Sequence, residues 1–324
     1  MDGPTIWQAE RMARWGSTDM PDQTGRTVLV TGANSGLGLR SAEALARKGA
    51  TLLMACRNPA RAEEARAAVA TLATGPAPIT VTLDLADLAS VRAAVAQVDE
   101  HTDRIDVLMN NAGIMAPPLR HTVDGFEMQF GTNHLGHFAL TGLLLPALLR
   151  AERPRVITTS SAMHRIGDNR WDDPGYERGG YNKWKAYGRS KLANLLFMRE
   201  LGRRAAAAGS DLVSAAAHPG YAATHLQQTS ARQSTGWLLQ RATGAVMAAG
   251  GGLVAQSAAA GALPQLYAAT MPDVVSGDYF GPGGPFEMRG SPKRVGMTAE
   301  ARDDEAAATL WRLSEELTGV TPPW

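Results

Sequence analysis

Cysteine is nearly absent from this chain. Cys56 is the one thiol among 324 residues, so no disulfide can close within the chain, and a reducing compartment fits. An excess of charge of either sign is lacking as well. With 32 Lys and Arg against 31 Asp and Glu, the formal net charge is +1. That balance withholds the pull that nucleic acid or an acidic membrane surface would need, and no basic run is long enough to track a phosphate backbone. Long hydrophobic runs are missing too. Leu143 to Leu149 is short and carries Pro146, which excludes it as a bilayer span. Residues 1–26 are polar and mixed, without the charged, apolar, then small-residue succession of a signal peptide. These absences point to a soluble, cytoplasmic protein with no nucleic-acid partner and no membrane span.

What the chain does have is alternation. Apolar, β-branched runs predict strands at Thr27–Thr31, Thr51–Cys56, Ile79–Leu83, Ile105–Asn110, Arg155–Thr159 and Leu212–Ala217. Ala-, Arg- and Glu-rich stretches between them predict helices near 38–48, 59–72, 88–98, 125–149 and 185–208. Strands separated by helices imply right-handed crossovers and an α/β, doubly wound parallel sheet with helices on both faces. No repeat period or long linker appears, so residues 25–324 read as one domain behind a polar N-terminal arm, 1–24. Beyond His218 the pattern loosens. An Ala/Gly-rich segment suits a packed helix, "GDYFGPGGPFEM" a short last strand with a turn, and Thr298–Leu317 a C-terminal helix.

The first predicted strand runs into "TGANSGLG" at 31–38. Gly32 allows a tight turn, Gly36 lets backbone approach a pyrophosphate, and Gly38 lets the following helix pack on the sheet. The helix then offers free N–H groups and a partial positive charge to the phosphates. Gly32, Asn34, Ser35, Gly36, Leu37 and Gly38 are therefore candidate dinucleotide ligands in a Rossmann fold.

A second pattern is "AYGRSKLAN" at 186–194, where Tyr187 and Lys191 stand one helical turn apart on one face. Tyrosine titrates near 10 in water and needs a shift of about three units to work at neutral pH. A neighbouring ammonium can supply part of it. The glycine spacing and the Tyr-x-x-x-Lys pair together resemble the short-chain dehydrogenase/reductase family, and further stretches match it in order: "LDL" at 83–85, "NNAG" at 110–113, "NHLGHF" at 133–138, "VITTSSAMH" at 156–164 and "HPGYAAT" at 218–224. The resemblance covers about residues 25–225. It implies that Asp84 and Leu85 meet the adenine, that Asn111, Ala112 and Gly113 line the cofactor, and that Pro219, Gly220 and Thr224 wrap the nicotinamide. It also implies that Lys191 holds ribose hydroxyls and that Asn133 holds a water linking Lys191 to solvent. Aligning Thr158 with the family's usual asparagine makes Ser161 the reacting serine and Ser160 its neighbour. Threonine at that place departs from the family pattern, which keeps Ser160 in play.

At the end of the second strand, where an acid would hold the ribose of NAD, stand Cys56 and Arg57. A guanidinium there can pair with a 2′-phosphate, with Arg61 assisting, so NADP(H) is favoured over NAD(H). Tyr176 and Tyr181 lack a lysine four residues on and read as pocket wall. The long 164–185 segment, "ACR", "NHLGHF" and "SKLANLLF" are similar to the retinol-dehydrogenase-like branch, which implies an apolar carbonyl or alcohol as substrate. The family also pairs subunits through helices near 125–149 and 185–208, which allows a homo-oligomer. His134, His137, His164 and His218 lie on different elements without ligand spacing, so no metal is expected. No Gly-x-Ser-x-Gly elbow supports a hydrolase. Residues 224–251, with Trp237, Leu238, Leu239, Val246 and Met247, read as a substrate lid or else a surface helix. The leading expectation is an NADP(H)-dependent carbonyl/alcohol oxidoreductase. A carbon–carbon double-bond reductase and a non-catalytic NADP(H) binder are the alternatives.

Overall fold

The computed structural model describes residues 14–221 and 256–324. Its frame follows from strands apolar on both faces. In β1 (Thr27–Thr31), Val28 and Val30 enter one apolar cluster while Leu29 enters another. Successive strand side chains point to opposite faces, so such a strand needs cover on both sides. The same split occurs in β2 (Thr51–Cys56), with Leu52 and Met54 on one face and Leu53 on the other. These pair with β3 (Ile79–Thr82), β4 (Val107–Asn110), β5 (Arg155–Thr159), β6 (Val213–Ala217), β7 (Tyr279–Pro282) and β8 (Pro292–Arg294). The sheet order is β3-β2-β1-β4-β5-β6-β7-β8, parallel except that β8 runs antiparallel to β7. This is a doubly wound Rossmann-type α/β fold.

Helices α1 (Gly36–Ala46) and α2 (Pro59–Ala70) cover one face through Ala42, Leu45, Ala62 and Val69. The other face receives α3 (Leu88–Asp99) and α4 (Gly136–Leu148), with Val91, Val98, Phe138 and Leu145 among the packed residues. Helix α5 (Lys183–Ala207) adds Phe197 and Leu201 there. On the first face α6 (Ala258–Thr270) adds Leu266, and on the second the last helix, α7 (Asp304–Thr318), adds Trp311. Trp15 also joins the core, edge-on to Tyr267 at 5.2 Å. No described helix is long and apolar enough to cross a membrane.

Local chemistry sets most boundaries. Asn58 caps α2 ahead of Pro59, Asp87 caps α3 and Asn182 caps α5. Asp303 caps α7, so the expected start at Thr298 gives way to a separate turn at Glu300–Arg302. The largest departure is the expected helix over 125–149. Gly125 instead sits in a left-handed turn (φ 87°), and a π-helical turn, Gly131–Leu135, precedes α4. Gly136 lies so close to the Leu85 carbonyl that a Cβ could not enter. The chain therefore bends where it passes the end of β3, and that bend carries Asn133.

Candidate active site

The strand order reverses between β1 and β4, and in such sheets ligands bind beyond the carboxyl ends of the strands at that crevice. Gly32 and Gly36 take left-handed backbone there, with φ of 68° and 53°. A Cβ on Gly38 would strike the Gly32 carbonyl and come within 2.6 Å of Asn111 Nδ2. Ser35, at the head of α1, caps nothing with its side chain. The first N–H groups of α1 are thus left for an anion, as a dinucleotide pyrophosphate requires. Gly38→Ala should overpack this turn, lowering unfolding stability by about 1–3 kcal/mol and weakening dinucleotide binding; chemical denaturation and a binding titration read both.

Thr31 ties this loop to β4. Its hydroxyl accepts from Asn111 N and Ala112 N, both at 2.9 Å, and lies 2.9 Å from His137 Nε2. Asn111 Nδ2 donates to the Thr31 carbonyl at 2.7 Å. At the end of β2, Cys56 is buried against the Ala33 and Asn34 backbone, and burial pushes its thiol up to about 11. Arg57 and Arg61 are exposed, and neither guanidinium has an ion-pair partner among the described residues. Asp84 accepts from Ala86 N at 3.0 Å in the loop after β3, and Leu85 beside it is buried.

On the other side of the crevice, Tyr187 and Lys191 are both buried on α5. The Ser161 side chain pulls the pKa of the Tyr187 phenol down, and Ser161 Oγ accepts from Met163 N at 3.2 Å. Ser160 turns away and donates to the Lys191 carbonyl at 2.8 Å. Lys191 Nζ lies 5.7 Å from the Tyr187 ring centre and donates to the Thr159 carbonyl at 3.1 Å. Asn133 Nδ2 donates to Ile114 O at 3.0 Å and Ser190 Oγ at 2.9 Å, while its Oδ1 accepts from Ile114 N at 2.8 Å. A Cβ on Gly113 would lie 3.1 Å from Asn133 Oδ1 and 3.4 Å from Lys191 Nζ, so these two side chains converge on that glycine. Ser161, Tyr187, Lys191, Asn133 and Gly113 are thus brought together.

The electrostatics differ from the expectation that Lys191 lowers the phenol. Burial pushes Tyr187 up to about 12, against the smaller opposing pull from Ser161. Burial also brings Lys191 down to about 8. Both groups are desolvated, and the ammonium faces a carbonyl rather than the phenol oxygen. Tyr176 and Tyr181, the two tyrosines nearest Tyr187 in sequence, are engaged elsewhere. Tyr181 donates to Pro117 O at 3.0 Å, and Tyr176 stacks on Arg189, whose guanidinium carbon is 4.6 Å from the ring centre. His134 packs between Phe130 and Ser314, and no described group of His, Cys, Asp or Glu is placed to hold a metal ion.

Sequence reasoning passed over Thr31, Asn194 and Gln265. Asn194 donates to the same Thr159 carbonyl as Lys191, at 3.0 Å, and its place three residues after Lys191 was a readable signal. Gln265 bridges Thr159 Oγ1 at 3.0 Å to Asn111 Oδ1 at 3.1 Å, with nothing local to announce it. Pro219 and Gly220 follow β6, Gly220 with φ 63°. Thr224 and the lid stretch 224–251 lie outside the described residues.

Residues 26–235 match the family model for short chain dehydrogenases. Human retinol dehydrogenase 14 is 39% identical, covering 98% of this chain and 92% of that protein. Human retinol dehydrogenase 13 is also 39% identical, over 92% of this chain and 86% of its own. The crystal structure of an uncharacterized protein from Mycobacterium paratuberculosis superposes with a TM-score of 0.78 at 42% identity, covering 96% of this chain and 99% of that one. A Pseudomonas aeruginosa RhlG structure solved with NADP shares the fold alone, at 22% identity and a TM-score of 0.62 over 80% of this chain and 94% of that one.

Proposed function

The chain belongs to the short-chain dehydrogenase family, in its retinol-dehydrogenase-like branch, and from that premise we propose an NADP(H)-dependent oxidoreductase that interconverts an apolar carbonyl and its alcohol, with Tyr187 as acid/base. Family membership supplies the oxidoreductase of carbonyl and alcohol groups. The observation that carries the finer reading is the convergence of Ser161, Tyr187 and buried Lys191, whose Nζ lies 5.7 Å from the Tyr187 ring centre. Cofactor, bound at the glycine loop, supplies or takes up hydride at its nicotinamide ring. The chain's own residues do the rest. Gly32 to Gly38 and the uncapped start of α1 bind the pyrophosphate. Asp84 and Leu85 meet the adenine, Asn111, Ala112 and Gly113 line the cofactor, and Pro219 and Gly220 line the nicotinamide side. Lys191 donates to the ribose, and Asn133 clips Ile114 so that Gly113 keeps its place.

Ser161 donates to the substrate oxygen, and the Tyr187 hydroxyl gives its proton to that oxygen as a carbonyl is reduced. The Tyr187 phenol, pushed up by burial, carries the proton that carbonyl reduction needs, while its distance above neutral pH weakens it as an acid until positive charge is brought beside it. Exposed Ile166, in the turn after Ser161, and exposed Trp184, three residues before Tyr187, support an apolar ligand. The same reading keeps residues 25–324 as one catalytic domain acting in the cytoplasm, where Cys56 stays a thiol.

Exposed Arg57 and Arg61, with no ion-pair partner among the described residues, support NADP(H). NADPH should bind more tightly than NADH, and Arg57→Ala should weaken NADPH by roughly 10–100-fold while sparing NADH. A fluorescence titration in which the unaltered protein binds both equally would contradict the cofactor assignment.

A further inference from the structure

The turn joining β7 to β8 reaches back onto the segment after β6, and its contacts serve no purpose in the reading above. His218, at the end of β6, is buried; Nδ1 accepts from Gly220 N at 3.2 Å and Nε2 lies 3.0 Å from Glu287 Oε2. A nitrogen that accepts an N–H carries no proton, so Nδ1 is bare and Nε2–H donates to Glu287. Glu287 is held from its other side by Arg165, 3.3 Å away in the turn that follows Ser161. The hydrogen bond from His218, above all, holds the Glu287 carboxyl below the usual carboxylate range. Space for the ring comes from Gly281 on β7, where a Cβ would run into the imidazole. Around Gly220 the packing is equally close: a Cβ there would lie 2.5 Å from Met288 O and 2.8 Å from Glu287 O. Tyr221 N also donates to Met288 O at 2.9 Å. Both Phe286 and Glu287 pay for this turn with left-handed backbone, at φ 54° and 56°.

Three stretches distant in sequence therefore meet around the His218–Glu287 pair: the turn after the reacting serine through Arg165, the Pro219–Gly220 segment, and the β7–β8 turn. We propose that Glu287 is a positioning residue for the nicotinamide side of the site, fixing the His218 tautomer so that His218 holds the Gly220 N–H, and with it the Pro219–Gly220 backbone, in place. This rests on the assignment of Pro219 and Gly220 to the cofactor. Glu287 touches neither cofactor nor substrate. Its carboxylate reaches the cofactor segment through His218, with Arg165 on its other side, and the tautomer it sets distinguishes it from a residue that merely stabilises the hairpin.

The test compares Glu287→Ala and Glu287→Gln by NADPH titration and steady-state kinetics, with the melting midpoint measured on each. Gln keeps an acceptor for Nε2–H and loses both the charge and the acceptor facing Arg165. E287A should raise both Kd and KM for NADPH about tenfold, and E287Q should recover most of that loss. Parental NADPH binding in E287A, or an E287Q as impaired as E287A, overturns the proposal. Nitrogen-15 spectra of the histidine rings in the unaltered protein give a reading that needs no variant. His218 should carry its proton on Nε2 and none on Nδ1, and a proton on Nδ1 would overturn the proposal. An unaltered protein that binds no dinucleotide would contradict the cofactor reading instead, whatever the tautomer.

Discussion

Tyr187→Phe should lower turnover by about 10³-fold, within the range that positioned acid–base catalysis contributes, and should leave NADPH affinity unchanged. The substitution removes one oxygen from a buried ring. Its packing on α5 is kept, and so is the lysine one turn on. What is lost is the phenol oxygen on which Ser161 acts and the proton it holds at neutral pH. Ser161 can still touch a substrate oxygen, which accounts for a residual rate. Stopped-flow binding and steady-state rates on one preparation separate the two effects. If Tyr181→Phe proved the more damaging change, Tyr187 would not be the acid/base.

Lys191→Met should have the second largest effect, and of opposite sign for activity and stability. Turnover and NADPH binding should both fall, because the ammonium that would hold the ribose is gone. Stability at pH 7 should rise. Burial holds the native ammonium at about 8, against 10.5 for an ordinary lysine. At pH 7 both states carry the proton, so the native state bears the full cost of a buried charge, on the order of 1–3 kcal/mol. Between pH 8 and 10.5 the native state releases its proton first, and the unaltered protein gains stability as pH rises through that window. Denaturant unfolding of both proteins across it should show the gap between them closing. A variant less stable than its parent at pH 7 would show that the Lys191–Thr159 contact outweighs desolvation.

How far the site could be read from the sequence depended on the span of each contact. Val28, Leu29 and Val30 announce a strand buried on both faces because the information lies in consecutive residues. Gly32, Gly36 and Gly38 announce a phosphate turn for the same reason, and Tyr187 with Lys191 needs only one helical turn. The bend at Gly131–Leu135 was not legible, because it answers a close approach between Gly136 and Leu85, some fifty residues away. Thr31 reads as one more β-branched strand residue until His137 and Asn111 are seen around it. The phenol's upward shift was missed because spacing along a helix gives proximity but not where an ammonium points. Glu287 lies 69 residues from His218, and nothing in "GPFEM" marks it as a partner for a histidine.

The most direct measurement supplies NADPH and an apolar α,β-unsaturated aldehyde such as cinnamaldehyde, then identifies the product by chromatography and proton spectra. This substrate carries both groups that the family's chemistry could reduce, so one reaction decides between them. Ser161 and Tyr187 serving a carbonyl oxygen should yield the allylic alcohol with its double bond intact, one product formed for each NADPH consumed. A saturated aldehyde would assign the chemistry to the carbon–carbon bond, and NADPH bound without consumption across aldehydes, quinones and enones would contradict a catalytic role altogether.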